Sequence, residues 1–234
     1  MRRLAVPGTG LHTAALMLVG EAPGAEENEE GKLFVGPPGE RLDQWLEALK
    51  IPRDQLFITS LLKCRPPKNK FPADPSDDCA QTCVGYLRRQ IALVNPASVV
   101  LLGKHALQHV LLEGTGLQAD PVQPWIGKHL RRRDRYGDMR FAVVYHPAYL
   151  LRNASEPDEE LCLNTLGTAW HHAQAKRAGR PPAVVPFEDI ATAPAPMSFC
   201  SIPPATHSCG TKAKNPSATT GTREPASRRR RAPG

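Results

Sequence analysis

Apolar and polar positions along residues 1–180 alternate between short, continuous apolar runs and longer stretches with helical spacing. Continuous apolar runs are typical of strands that are buried on both faces, as in parallel sheets. The predicted strands cover residues 15–19, 55–62, 98–102 and 141–145. Gly20 and Gly103 directly follow the first and third runs and mark their ends.

The stretches between these runs predict helices. Residues 41–49 place their apolar side chains on one helical face, and a short helix is predicted between Gly103 and Leu112. A long helix opens at Pro75, and a closing helix follows the last strand; their apolar stripes are Cys79, Cys83, Leu87, Ile91 and Val94, and Cys162, Leu166, Ala169 and Ala173. Strands separated by helices predict a three-layer αβα sandwich with a central, mostly parallel four-stranded sheet. Ligands bind beyond the carboxyl ends of the strands in such folds.

The composition suits a globular protein, with 41% hydrophobic and 23% charged residues among 234. No apolar run is long enough for a membrane helix, and no secretory signal pattern follows the first residues. Six cysteines in a chain of this length do not indicate a disulfide scaffold. We therefore expect a monomeric, cytoplasmic protein that has no membrane contact.

The charge and the prolines divide the chain near residue 178. Residues 181–234 contain 7 Lys and Arg, 3 Asp and Glu, and 10 of the 24 prolines. Such a segment cannot bury enough apolar surface to offset the entropy of ordering. We expect one domain over residues 1–178 and a disordered tail over residues 179–234. The arginine run at 228–231 is either a solvated tail or a contact for phosphates.

Two glycine- and proline-rich motifs follow the first strand. GEAPG at residues 20–24 forms a tight turn, but no Gly-Lys-Ser/Thr follows it, and nearby glutamates would repel a pyrophosphate. FVGPPG at residues 34–39 sets an aromatic ring before a turn. Phe34 is either a core side chain or a stacking surface for a flat ring, with turn amides that could hold phosphate.

Two further motifs follow the second and fourth strands. KCRPPKNK at residues 63–70, here called the basic loop, carries four cationic side chains that suit a phosphate backbone or are simply solvated. HPAYLLR at residues 146–152 begins with a histidine that can donate to a developing oxyanion or can cap a helix. Its apolar residues either pack against the domain or wedge into a partner.

Together, GEAPG, GKLFVGPPG, KCRPPKNK, a cysteine-containing helix and HPAYLLR closely resemble the family 4 branch of the uracil-DNA glycosylase superfamily, over roughly residues 15–175. The resemblance implies a repair enzyme, at the nucleoid, that flips uracil or a related deaminated base out of DNA and hydrolyses its N-glycosidic bond. It implies catalytic roles for Glu21, Glu27 and His146, and base binding by Ala22, Phe34 and Ser60. It implies DNA contacts by Gly36, Gly39, Arg65, Lys68, Lys70, Tyr149, Leu150 and Arg152.

The sequence departs from the family at two places. Ser60 stands where the family has an asparagine, whose amide matches O4 and N3–H of uracil and rejects cytosine. Family members hold a four-iron cluster with four cysteines, of which only Cys64 and Cys83 match here. We therefore expect no intact cluster. The alternative to an active enzyme is a DNA-binding relative with little or no catalysis; an unrelated nucleotide-binding α/β domain is a third reading.

Overall fold

The computed structural model describes residues 5–72, 78–153, 155–181 and 186–190, without the side chains of Asp78 and Cys79. Its sheet has seven strands in the order β1-β3-β2-β4-β6-β5-β7. The four central strands are parallel, as predicted: β3 (Phe57–Ser60), β2 (Leu16–Gly20), β4 (Ser98–Leu102) and β6 (Arg140–Val144). Their apolar side chains are buried from both sides, which is why continuous apolar runs located them.

Three short strands that flank the central four were not predicted. β1 (Thr9–Gly10) pairs antiparallel with β3, and β5 (His129–Arg131) pairs antiparallel with β6. β7 (Glu188–Asp189) then pairs parallel with β5. The described part of the chain therefore has seven strands, where the sequence predicts four. Strands of two or three residues form by pairing with a neighbouring strand and are too short to show a periodic pattern in the sequence.

Helices cover both faces of the sheet. They are α1 (Ala25–Glu30), α2 (Pro37–Ala48), α3 (Asp78–Val94), α4 (Lys104–Ala106), α5 (Arg133–Tyr136), α6 (Pro147–Arg152) and α7 (Glu156–Arg177), and a π-helical segment, Leu107–Leu112, continues α4. The connection from β2 to β3 runs through α2. The connection from β3 to β4 runs in the opposite direction through α3, and the connection from β4 to β6 continues in that direction through α4. Because such crossovers are right-handed, α2 lies on the opposite face of the sheet from α3 and α4. Trp45 Nε1 donates to Glu159 Oε1 at 2.8 Å and joins α2 to α7. In the described part of the chain, no helix is long and apolar enough to cross a membrane.

Part of the expected tail belongs to the sheet. The Phe187 ring lies 4.3 Å from the guanidinium of Arg131 and 4.5 Å from that of Arg140, and Ile190 is buried. Residues 186–190 thus pack on the domain, although they fall in the segment expected to be disordered. The arginine run at 228–231 lies outside the described residues, and the division at residue 178 stays a prediction.

Candidate active site

The four motifs meet at one edge of the sheet because the central strands are parallel and end there together. Glu21 follows β2, Ser60 ends β3, Gly103 follows β4 and His146 follows β6. A crevice at the carboxyl ends of parallel strands is where α/β sheets bind ligands. The order of the motifs in the sequence therefore becomes one local constellation in space.

Phe34 and His146 form the centre of this constellation. Their rings stack with centroids 5.9 Å apart and an interplanar angle of 27°. The Phe34 ring also lies over Gly20, where a Cβ atom would come within 2.8 Å of it. The glycine that ends β2 is therefore required by the position of this ring.

The backbone of Phe34 has a left-handed conformation, with a φ angle of 55°. Nη2 of Arg53 holds it by donating to the carbonyl oxygens of Leu33 at 3.1 Å and Phe34 at 3.2 Å. Arg53 also pairs with Asp43. Left-handed non-glycine residues persist only where the surroundings enforce them. Arg53 is thus a supporting residue that no motif in the sequence pointed to.

His146 is held as a neutral donor. Its Nδ1 accepts the backbone N–H of Ala148 at 3.2 Å and caps α6. Burial, together with the charge of Arg152, lowers the pKa of His146 to about 4. A neutral imidazole whose Nδ1 accepts a hydrogen bond carries its proton on Nε2. His146 can therefore donate from Nε2 without being charged.

Glu21 directly follows Gly20, the last residue of β2, which the Phe34 ring covers. Burial raises the pKa of its carboxyl group, and the charges of Lys104 and Arg152 oppose that rise. His105 Nε2 lies 4.0 Å from Glu21 Oε2. A carboxylate with a raised pKa in a crevice is suited to accepting a proton from water.

Glu27, the second predicted catalytic carboxylate, serves its own helix. Its Oε2 accepts the backbone N–H of Gly24 at 2.9 Å, and its side chain is buried. This is the capping interaction of α1, in which a glutamate three residues into a helix satisfies an N-terminal amide. The Gly-x-x-Glu spacing is typical of this cap, and the catalytic role that the resemblance implies for Glu27 stays a prediction.

Ser60 has its hydroxyl group engaged by the backbone at the end of β3. Its Oγ donates to the carbonyl oxygen of Leu62 at 2.5 Å, and the residue is 1% exposed. Lys63 Nζ fixes the same strand end by donating to Ser60 O at 2.6 Å, and also to Thr59 Oγ1 and Gln90 Oε1. Burial lowers the pKa of Lys63 to about 8. Lys63 was predicted as part of a solvated basic loop, but its ammonium group supports β3 instead.

The other predicted base-binding residue, Ala22, is half-buried. It packs against the small apolar cluster of Leu62, Ala80 and Cys83. Its neighbours are thus side chains of the fold, and a role for Ala22 in base binding stays a prediction.

The predicted phosphate contacts differ in their surroundings. Lys68 and Lys70 are exposed, and Arg65 is half-buried with its Nε 3.5 Å from Asn69 Oδ1. Gly36 caps α2, and Gly39 lies one turn later, where a Cβ atom would collide with the carbonyl of Phe34. The carboxylate of Glu26 lies against Gly36, so a phosphate could sit there only after Glu26 moved away.

Residues 147–152 of the HPAYLLR motif form helix α6, and His146 caps its N-terminus. Leu150 is 1% exposed and belongs to the core, and its role as a DNA contact stays a prediction. Helical spacing turns the next residue outward, and Leu151 is 45% exposed. Tyr149 stacks on Tyr145 at 4.7 Å and is half-buried, whereas Arg152 is exposed.

The cysteine residues give an incomplete metal site. Cys83 is buried and accepts the backbone N–H of Lys63 at 3.4 Å through Sγ, while Cys64 is half-buried. Among the side chains that the structure describes, no group of three or more His, Cys, Asp or Glu residues could hold a metal ion. A four-iron cluster needs four ligands, of which Cys64 and Cys83 supply two among the described side chains, and the expectation of no intact cluster stays a prediction.

A second ring cluster borders the site and had no signal in the sequence. Phe71, directly after the basic loop, stacks on His105 with centroids 4.1 Å apart and an angle of 16°. His109 lies 5.2 Å from the same ring. Burial lowers the pKa of His105 to about 4 and also lowers that of His109.

Comparison with known proteins agrees with this arrangement. Residues 7–168 match the family described as the uracil DNA glycosylase superfamily. A type-4 uracil-DNA glycosylase of Sulfurisphaera tokodaii is 39% identical over 153 residues, 65% of this chain and 68% of that protein. Type-4 enzymes of Pyrobaculum aerophilum and Thermotoga maritima are 37% and 32% identical, covering 64% and 70% of this chain and 75% and 80% of their own lengths. The chain belongs to the uracil-DNA glycosylase superfamily.

Proposed function

We propose that this protein excises uracil from DNA by hydrolysing the bond between the base and its deoxyribose. The observation that carries the proposal is the pair of Phe34 and a neutral His146, which presents a stacking ring beside an N–H donor. A flat, polar base that is rotated out of the duplex needs these two elements. The family and its type-4 relatives support the same activity.

His146 acts on the leaving base. When the bond between C1′ and N1 breaks, its electron pair remains on the uracil, and negative charge develops on the carbonyl oxygens. The Nε2–H of a neutral imidazole donates to such an oxygen. Because burial holds the pKa of His146 at about 4, the imidazole keeps this form at neutral pH without competing protonation.

Glu21 acts on the sugar side. As the base leaves, C1′ gains positive charge, which a nearby carboxylate stabilises. The same carboxylate accepts a proton from the water whose oxygen then bonds to C1′. The proton is finally passed to the uracil anion, so water is consumed and the products are free uracil and an abasic site.

The surface around the site suits DNA. Lys68, Lys70 and Arg152 are exposed cations near the crevice motifs, and phosphate contacts of this kind supply affinity that does not depend on sequence. Leu151 is the exposed apolar residue of α6, and we propose that it enters the space that the flipped base leaves.

The direct test uses the full chain on oligonucleotides that contain uracil, hypoxanthine, xanthine or thymine at one position. Alkali cleaves the strand at abasic sites and reveals base release. We expect release of uracil and none of thymine, and loss of release in Glu21→Gln. Tight DNA binding without abasic sites would instead support a non-catalytic relative, which the engaged hydroxyl of Ser60 favours.

A further inference from the structure

His105 lies at the meeting point of two strand ends. β2 and β4 are neighbouring parallel strands, with Val19 opposite Leu101, so the segments that follow them leave the sheet side by side. Glu21 begins one of these segments, and His105 lies in α4 in the other. Their facing atoms, Glu21 Oε2 and His105 Nε2, are 4.0 Å apart.

The imidazole of His105 is held by an aromatic partner. The Phe71 ring lies almost parallel to it at 4.1 Å, which fixes the plane of the imidazole and directs Nε2 towards Glu21. Stacked ring pairs of this kind contribute about 0.5–1.5 kcal/mol beyond the burial of their area. The side chains of His105 and Glu21 are 28% and 37% exposed, so both reach the crevice.

We propose that His105 is a positioning residue for Glu21, holding the carboxylate towards the reacting sugar through its ring nitrogen. This inference rests on the proposed function. The proposal requires that the partly exposed carboxylate rotate so that the two atoms, which are 4.0 Å apart here, come within hydrogen-bond distance. The histidine then donates from Nε2 to the carboxylate, which stays the group that receives the proton of water.

The surrounding charges are compatible with this role. Burial keeps the pKa of His105 low, Lys104 and His109 lower it further, and Asp120 opposes them. The imidazole is therefore neutral at neutral pH and acts as a dipolar donor without adding a full charge beside Glu21. The charged and titratable groups that face the pair are Lys104, His109, Asp120 and Arg152.

Three variants test the proposal by single-turnover uracil release with saturating enzyme. His105→Phe keeps the stack on Phe71 but removes the ring nitrogen, and we expect a rate roughly tenfold or more below that of the parent. His105→Gln places an amide N–H near the Nε2 position and should restore most of the rate. His109→Phe is the matched control, because His109 packs against the same Phe71 ring, with centroids 5.2 Å apart. Equal rates for His105→Phe and the parent would overturn the proposal.

A titration of the Glu21 carboxyl group by NMR gives a readout that does not depend on activity. The resonance is assigned with Glu21→Gln. Loss of a donor disfavours the ionised form, so His105→Phe should raise the pKa of Glu21 by roughly half a unit to one unit. His109→Phe and His105→Gln should leave it near the parent value, and an unchanged pKa in His105→Phe contradicts the coupling. A parent that releases no uracil overturns the proposed function, and the titration alone then decides whether His105 controls Glu21.

Discussion

Replacement of His146 by different residues tests separately the two roles that its imidazole has, as a helix cap and as a hydrogen-bond donor. Nδ1 caps α6 by accepting the Ala148 amide, and Nε2 carries the proton that would reach the leaving base. His146→Asn keeps an acceptor near the Nδ1 position and removes the Nε2 donor. His146→Gln keeps a donor near Nε2 and loses the close cap, and His146→Ala loses both groups.

The expected magnitudes follow from these contacts. Loss of one preorganised oxyanion donor costs about 2.7–4 kcal/mol, or roughly a hundredfold to a thousandfold in rate. Loss of a helix cap costs about 0.5–2 kcal/mol of folding free energy. We therefore expect His146→Asn to be at least about a hundredfold slower with nearly parental stability. His146→Ala should be equally slow and also less stable, and His146→Gln should retain the most activity of the three.

The assay is single-turnover release of uracil at saturating enzyme, with DNA affinity and urea unfolding measured separately. His172→Ala is the matched control, since His172 is also a buried histidine but bonds Ser98 at the opposite end of β4. It should lower stability and leave the release rate near the parent value. DNA affinity should change little in every His146 variant.

The pH dependence gives a second check. The pKa of His146 falls from 6.5 in the unfolded chain to about 4 in the fold, so the unfolded state binds more protons between these values. Its contribution to stability is complete above 6.5 and is lost as the pH falls towards 4. At pH values well above 4 the native imidazole is neutral, so an acid limb of the rate at those pH values belongs to Glu21, whose pKa is raised. Two results would refute the reasoning: a parental release rate in His146→Asn, or an acid limb that disappears only when His146 is replaced.

Four further predictions concern the groups around this centre. Arg53→Met should slow uracil release about tenfold, because the left-handed backbone of a residue such as Phe34 costs about 1–3 kcal/mol when no contact supports it. Asp43→Asn is the control. Equal release rates for Arg53→Met and the parent would contradict the supporting role of Arg53. Ser60→Asn should raise the ratio of uracil to hypoxanthine release about tenfold, since an amide matches both edge groups of uracil, and an unchanged ratio means that residue 60 does not reach the base. Deleting residues 191–234 should weaken non-specific DNA binding, most strongly at low salt, and leave uracil release at saturating enzyme intact. Salt titrations of DNA binding that superimpose for the shortened and the full-length protein would argue against a DNA contact by the tail. Anaerobically purified protein should contain far fewer than about four irons per chain, and a broad visible absorption band with about four irons would overturn this expectation.

The strands were predictable from the sequence where both of their faces are buried, because most positions of such a strand are then apolar. The run at 98–102 is β4 residue for residue, because every position is buried and Gly103 ends it. β7 could not be foreseen in a proline-rich segment. It exists because β5 offers a free edge and because Phe187 and Ile190 find partners on the domain.

Some side chains of the site were also predictable from the sequence, and others were not. Phe34 and His146 were identified by motif, and the sheet brings them together because β2 and β6 end at the same edge as β4. These two residues could be identified from the local sequence, because glycine and proline turns constrain the direction of the chain after each strand.

The contacts between distant segments could not be deduced from the chain alone. Arg53 and His105 sit in no motif, and each lies close to a residue of the segment that follows β2, Phe34 and Glu21 respectively. Leu150 and Leu151 are chemically identical neighbours, and only the helical turn of α6 sends one into the core and the other to the surface. Composition and periodicity record how much of a residue is buried, whereas the atoms that it faces depend on the packing of elements that are far apart in sequence.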